Sequence, residues 1–230
     1  MSAKAQSQRS TTNANPGYFD LPKLEPKINT AIDEYLHHKD IAERRLWFNT
    51  SVASMDDVDV VDSTTLLVTD IVHHIIQYNR DDEGLPVEHR KRPIKLYINS
   101  PGGDIYEGFA LIDAIRLSKT PVYTYNVGVC ASMGFLIYIA GHKRFTFPHA
   151  MYLLHDGING SISSTSKFID TADFSKRYEK EVIKTFILQQ TKISEKEYTD
   201  HQRVEWYMLP NDAIKLGVAH EIAQTLDDLL

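Results

Sequence analysis

The sequence is poor in cysteine and has no long hydrophobic run, and each of these features excludes a class of protein. Cys130 is the only cysteine among 230 residues, so the chain can form no internal disulfide and no cysteine-rich metal site. The longest apolar run, residues 135–140, is far shorter than the roughly 18 residues of a membrane span. Residues 1–15 are too polar for a secretory signal. These absences predict a soluble protein of the reducing cytoplasm.

Negative charges outnumber positive ones, and common metal-binding patterns are missing. The net charge of -6 disfavours binding to phosphate backbones, so we expect no nucleic-acid partner. No H-x-x-x-H or H-E-x-x-H pattern occurs, and we therefore expect no metal site. With 42% apolar and 24% charged residues, the composition is that of an ordinary globular protein. We expect a disordered polar tail at residues 1–25 and one domain at 26–230.

The chain alternates strand-like and helix-like segments, which indicates an α/β fold with a mainly parallel sheet. A helix is predicted within residues 28–45, a strand at 46–48, a helix at 63–78 that buries Ile76, and a solvated loop at 81–93. After the strand predicted at 94–98, Ile105, Phe109, Ile112 and Ile115 recur at helical spacing.

The second half of the chain repeats this pattern. We predict a strand at 121–130, a short apolar helix at 131–140 that Gly141 ends in a left-handed conformation, and strands at 145–147 and 151–154. A long helix should run to about residue 191 and measure roughly 35 to 40 Å. A helix of that length packs on another part of the chain or on another subunit, so its presence suggests an oligomer. A capping box at Ser194 and Glu197 and a helix at 211–216 complete the prediction.

Candidate chemistry lies where these elements end. Ser132 falls at a strand-to-helix junction, where the N–H of Met133 could donate to an oxyanion, as acyl transfer requires. The alternative is that Ser132 only caps the helix. Gly102 and Gly103 allow a main chain to approach a ligand closely, although a plain tight turn is the alternative. His155 ends an apolar strand and should lie at the same carboxyl edge of the sheet.

Three stretches in this order resemble the family of Clp protease proteolytic subunits (ClpP). They are LYINSPGG at residues 96–103, ASMG at 131–134, and the strand that ends at His155. The resemblance covers residues 45–222. It implies a ClpP/crotonase-like fold of repeated βα units with a projecting long helix, the handle. It also implies that Ser132 is the nucleophile, His155 the general base, and Gly103 and Met133 the oxyanion hole.

The same resemblance implies a serine endopeptidase that cleaves unfolded polypeptides, without a cofactor, inside two stacked heptameric rings. An AAA+ Clp ATPase is the partner that would supply the substrate. The family's third catalytic residue is an aspartate, and alignment on Ala213 and Gly217 puts Glu205 at its position. Asp200 is the alternative acid. Two other functions share the fold, a crotonase-type acyl-CoA enzyme and a catalytically silent subunit that only builds a ring.

Overall fold

The computed structural model describes residues 31–53, 66–86, 92–157 and 164–226. The tail predicted at residues 1–25 lies outside the described residues, as do residues 87–91 of the predicted 81–93 loop. Within the described part of the chain, no helix is both long enough and apolar enough to cross a membrane.

Strands and helices alternate along the chain. The described helices are α1 (Ala31–Ala42), α2 (Val68–Glu83), α3 (Ile105–Leu117), α4 (Met133–Ile139), α5 (Thr165–Tyr178), α6 (Thr185–Gln190), α7 (Glu195–His201) and α8 (Pro210–Lys215). The strands are β1 (Arg45–Phe48), β2 (Ile94–Ser100), β3 (Val122–Ala131), β4 (Lys143–Thr146), β5 (Met151–Leu154), β6 (Trp206–Met208) and β7 (Glu221–Ile222).

All seven strands belong to one sheet, in the order β1-β2-β3-β4-β7, with β5 paired to both β3 and β6. Every pairing is parallel except that of β5 with β6. The prediction of an α/β fold with a mainly parallel sheet is confirmed. The first half of β3 pairs with β4 and its second half with β5. The carboxyl ends of β3 and β5 therefore lie side by side.

The main core lies between the sheet and its helices. All seven residues of α4 are buried, and the buried apolar faces of α2 and α3 belong to the same cluster. Burying an apolar side chain contributes about 1.5 to 3 kcal/mol before entropy is counted. A helix as short as α4 gains little from propensity, so its stability comes from this packing.

Helix α2 differs from its prediction at both ends. It begins at Val68 and continues through Glu83, and Ile76, expected inside, is half exposed. The helix extends into the predicted loop because Asp82 is buried and paired with Arg44 at 2.5 Å. The hydroxyl of Thr120 donates to the same carboxylate at 2.6 Å. A buried carboxylate is stable only when such partners satisfy it.

The sequence predicted a left-handed conformation for Gly141, and this prediction is wrong, since its φ is not positive. The helix ends at Ile139, and Gly141 fills a different role. A Cβ at this position would lie 2.2 Å from Oγ1 of Thr124. The glycine therefore permits close packing of the chain on β3. Gly217, after α8, does have a positive φ of 65°.

The long helix predicted to end near residue 191 is confirmed, with one irregularity. Helices α5 and α6 are joined without a break by a π-helical turn at Glu179–Lys184. The helical segment from 165 to 190 is about 39 Å long at 1.5 Å per residue. Such π turns often lie at functional positions.

The opposite face of the sheet carries an aromatic ladder, formed by Trp47, Tyr97, Tyr125 and Phe145. Adjacent rings in this ladder are stacked with centroids 4.4 to 4.8 Å apart. The ladder forms a cluster separate from the main core, so the two faces of the sheet are stabilised by different sets of side chains.

Arg144 is buried beneath the β4–β7 edge, and His220 is one of its partners. Its guanidinium donates to the carbonyls of Ile139 (2.7 Å) and Gly217 (2.9 Å). Nη2 also lies 2.7 Å from Nε2 of His220, while the main-chain N–H of Arg144 donates to Nδ1 at 3.2 Å. Burial, and then the charge of Arg144, lower the pKa of His220.

Acid should destabilise the protein through this contact. Because the folded-state pKa of His220 lies below its unfolded value of about 6.5, the unfolded chain binds more protons as the pH falls. The stability is full above about pH 6.5 and is lost as the pH drops through the folded pKa. We expect the melting temperature to fall by a few degrees between pH 7.5 and 5.5, and to fall less in His220→Gln.

The measurement is a thermal melt at a series of pH values. His149→Gln, which removes an exposed histidine, is the control and should follow the wild-type profile. If His220→Gln has the same pH dependence as the wild type, another group is responsible.

Candidate active site

Ser132 has an uncommon backbone conformation between β3 and α4. Its φ of 53° and ψ of -121° are costly for a residue with a side chain, by about 1 to 3 kcal/mol. Its N–H donates to the carbonyl of Leu153 at 2.9 Å, which ties the turn to β5. The hydroxyl makes no capping hydrogen bond to α4. The alternative interpretation of Ser132 as a helix cap is therefore not supported by the geometry.

Gly102 packs directly against this turn. A Cβ on Gly102 would lie 2.6 Å from Cβ of Ser132 and 2.9 Å from the main-chain nitrogen of Met133. The φ of Gly102, 101°, is also one that other residues rarely adopt. Glycine is therefore required here by a close approach between two main chains, and the plain tight turn is an insufficient description.

Gly103 is held by the segment that follows β1. The N–H of Val52 donates to the carbonyl of Gly102 at 2.8 Å. The carbonyl of Val52 in turn accepts from the N–H of Asp104 at 2.6 Å. A Cβ on Gly103 would lie 1.9 Å from the Val52 oxygen. Within the described ranges, the main-chain hydrogen bonds around this turn include none donated by the N–H of Gly103 or Met133.

His155 lies at the same edge of the sheet as Ser132. Residue Ala131 pairs with Leu153 in the parallel β3–β5 ladder, and both strands end within the next residue. His155 is half buried, and its Nε2 atom is buried. The sheet thus brings three sequence-predicted regions, Gly102–Gly103, Ser132 and His155, to one edge.

Glu205 reaches this edge through β6. The last pair of the antiparallel β5–β6 ladder is Leu154 with Trp206, so His155 directly follows β5 and Glu205 directly precedes β6. Glu205 is exposed and accepts a hydrogen bond from the Tyr207 hydroxyl at 2.6 Å.

Asp200, the alternative acid, lies on α7. Its carboxylate forms an ion pair with Lys196 one turn away, and both side chains are exposed. This ion pair and the position on a helix place Asp200 outside the β5–β6 ladder, whereas Glu205 directly precedes β6.

A small cavity of about 10 Å³ lies beside His155, and its walls include two residues for which no function was predicted. They are His201 and Trp206, whose rings stack at 4.0 Å. The cavity is large enough for about one water molecule. The stack was not predicted, because nothing local in the sequence shows that α7 folds back onto β5.

Other groups near the edge are less suited to chemistry. Cys130 is fully buried, and burial raises its pKa well above the usual value, so it would stay a thiol. Among residues 31–53, 66–86, 92–157 and 164–226, no three His, Cys, Asp or Glu side chains are grouped to hold a metal ion.

Comparison with known proteins gives consistent matches. The Clp protease family model matches residues 84–226. An ATP-dependent Clp protease proteolytic subunit 2 from Treponema denticola is 33% identical over 142 residues, which are 60% of this chain and 70% of that protein. A proteolytic subunit from Deinococcus radiodurans is 29% identical over 140 residues, covering 60% and 68% respectively.

A solved structure shares the fold. A mutant of ClpP1 from Listeria monocytogenes superposes with a TM-score of 0.68 and 22% sequence identity, covering 85% of this chain and 99% of that one. The predicted fold class, α/β of the ClpP type, is confirmed by this match.

Proposed function

The chain belongs to the Clp protease family, and from this premise we propose that it is a serine endopeptidase subunit that cleaves unfolded polypeptides. The observation that carries the proposal is the contact between Gly102 and the strained turn at Ser132. Strain at a residue with a reactive hydroxyl, beside unused N–H donors, is typical of a nucleophile in acyl transfer.

In this proposal Ser132 Oγ attacks the carbonyl carbon of a peptide bond, and its proton passes to Nε2 of His155. The oxygen of the tetrahedral intermediate accepts hydrogen bonds from the N–H groups of Gly103 and Met133. The C–N bond then breaks, and the leaving amine takes the proton from His155. Water, deprotonated by His155, attacks the acyl group and releases Ser132.

Glu205 is the proposed third member of the triad. Its carboxylate would accept the Nδ1 proton of His155 and hold Nε2 toward Ser132. Support comes from the β5–β6 ladder, whose last pair, Leu154 with Trp206, directly adjoins both residues in the chain. Glutamate is one methylene longer than aspartate, so its side chain would have to fold back to orient the imidazole.

We further propose that residues 26–230 form one domain and that its copies assemble into two stacked heptameric rings in the cytoplasm. An AAA+ Clp ATPase would deliver unfolded polypeptides, and the peptidase subunit itself would need no cofactor. The contact between rings is proposed to involve α5, whose exposed apolar residues include Phe168 and Ile169, each 52% exposed. Apolar side chains this exposed on a long helix are typical of an interface.

The first test removes the nucleophile. Ser132→Ala deletes one oxygen and little volume, so we expect assembly to be unchanged and peptide turnover to fall by about 10⁶-fold. A fluorophosphonate should label the wild type at Ser132, mapped by mass spectrometry, and should not label the variant. A cleaving Ser132→Ala protein would contradict the assignment. An unlabelled wild type would instead favour a crotonase-type or silent subunit.

The second test concerns the acid. Glu205→Gln is expected to lower kcat by about 10⁴-fold, because the imidazole loses the group that fixes its tautomer. Asp200→Asn is the control and should change kcat little, since it breaks only an exposed ion pair. Turnover of a fluorogenic peptide by both variants distinguishes the two acids. An unimpaired Glu205→Gln protein would indicate that catalysis needs only Ser132 and His155.

The third test concerns the handle. Phe168→Glu puts a carboxylate on the proposed contact between rings, and we expect native mass measurement to show single rings or smaller species. Ser166→Glu adds the same charge at another exposed position of α5 and should leave the double ring intact. Tyr178 is a poorer choice, since its ring packs on Phe109 of the same subunit. If Phe168→Glu retains the wild-type mass, the contact lies elsewhere.

A further inference from the structure

The β2–β3 ladder changes register just before the candidate active site. Ile98 pairs with Asn126, but the next pair is Ser100 with Cys130. Over this interval β2 advances by two residues and β3 by four. Residues 127–129 of β3 therefore bulge out of the ladder, opposite Asn99 of β2.

This bulge determines which residues meet at the sheet edge. An uninterrupted parallel register would pair Ser100 with Gly128 and leave Ser132 two residues out of phase. Two residues of extended chain span about 7 Å. Gly102 would then not touch the Ser132 turn, and the contact that carries the proposed function would be lost.

Two asparagine side chains replace the hydrogen bonds that the ladder lacks at the bulge. Oδ1 of Asn99 accepts from the N–H of Val129 at 3.0 Å, and Oδ1 of Asn126 accepts from the N–H of Gly128 at 3.1 Å. Nδ2 of Asn126 donates to the carbonyl of Met151 at 3.0 Å, which joins the bulge to β5. Nδ2 of Asn99 donates to Oδ1 of Asn49 at 2.6 Å.

The fit around Asn99 is close. A Cβ on Gly128 would lie 2.6 Å from Oδ1 of Asn99, so a residue with a side chain would displace the amide. Asn126 is fully buried, where its amide supplies a donor and an acceptor without a charge. A carboxylate could not donate, and an aliphatic side chain would leave buried main-chain groups unsatisfied.

We propose that Asn99 and Asn126 are positioning residues, which hold the β3 bulge in the phase that brings Ser132 against Gly102. The proposal rests on the proposed function, since it concerns the alignment of the nucleophile with the oxyanion donors. The role of the two asparagines is to fix the register of the strand that carries Ser132.

The test compares labelling, turnover and local hydrogen exchange in the full chain. Asn99→Ala should lower both kcat and the rate of fluorophosphonate labelling by about 10²-fold, as a misplacement near 1 Å can do, with KM nearly unchanged. Asn99→Asp keeps the oxygen that accepts from Val129 and should recover most of the labelling rate. Gly128→Ala should reproduce the loss, because its methyl group displaces the Asn99 amide.

Asn79→Ala is the matched control. Asn79 also makes several hydrogen bonds, among them to Ser118 and from the N–H of Lys119, but at the opposite end of the sheet. We expect its melting temperature to fall at least as far as that of Asn99→Ala, while labelling of Ser132 stays at the wild-type rate.

Hydrogen exchange at the Gly128 and Val129 amides separates this inference from the proposed function. In Asn99→Ala the Val129 amide should exchange faster. If Asn99→Ala is labelled at the wild-type rate, or if Asn79→Ala loses labelling equally, the positioning role is wrong. If the wild type is not labelled at all, the proposed function fails, and unchanged exchange in Asn99→Ala would overturn the inference by itself.

Discussion

The main-chain contact between Gly102 and the Ser132 turn is the constraint on which the candidate site depends. A side chain at residue 102 would overlap Cβ of Ser132 and main-chain atoms of Ala131 and Met133, so the two turns can meet only if residue 102 is glycine. They also meet only if β2 and β3 end in the correct phase. The bulge opposite Asn99 sets that phase, and the pairing of β3 with β5 then brings His155 to the same edge.

This arrangement strains the backbone of Ser132, and interactions with the surrounding fold offset the strain energy. A positive φ at a non-glycine residue is stable only where neighbours over-determine it. Here the Ser132 N–H is bound to the carbonyl of Leu153, and every residue of α4 after it is buried. Relaxing the turn would require α4 to leave the core. The free energy lost by exposing its apolar side chains would exceed the strain energy released at Ser132.

Sequence patterns predicted the helices and strands that are determined by neighbouring residues in the chain. The alternation of buried strands with amphipathic helices was sufficient for the parallel sheet, and Ser132, His155 and the glycine pair were found at element ends. The predictions that Ile76 is buried and that Gly141 is left-handed were both wrong. They share a cause, because exposure and packing at these positions depend on residues distant in sequence. Gly141 is explained by Thr124 on another element. Likewise, α2 extends through Asp82 because the buried carboxylate forms an ion pair with Arg44, which is distant in sequence.

The position of Glu205 depends on the pairing of the three-residue strand β6, which begins at the next residue. An edge strand this short has few ladder hydrogen bonds, so side chains must hold it against β5. Trp206 is fixed by stacking on His201 of α7. In turn, α7 is tied to the long helix, because the Tyr198 hydroxyl donates to Glu179 at 2.7 Å. Glu179 begins the π-helical turn, so the irregular segment of the long helix supports β6, the strand that directly follows Glu205.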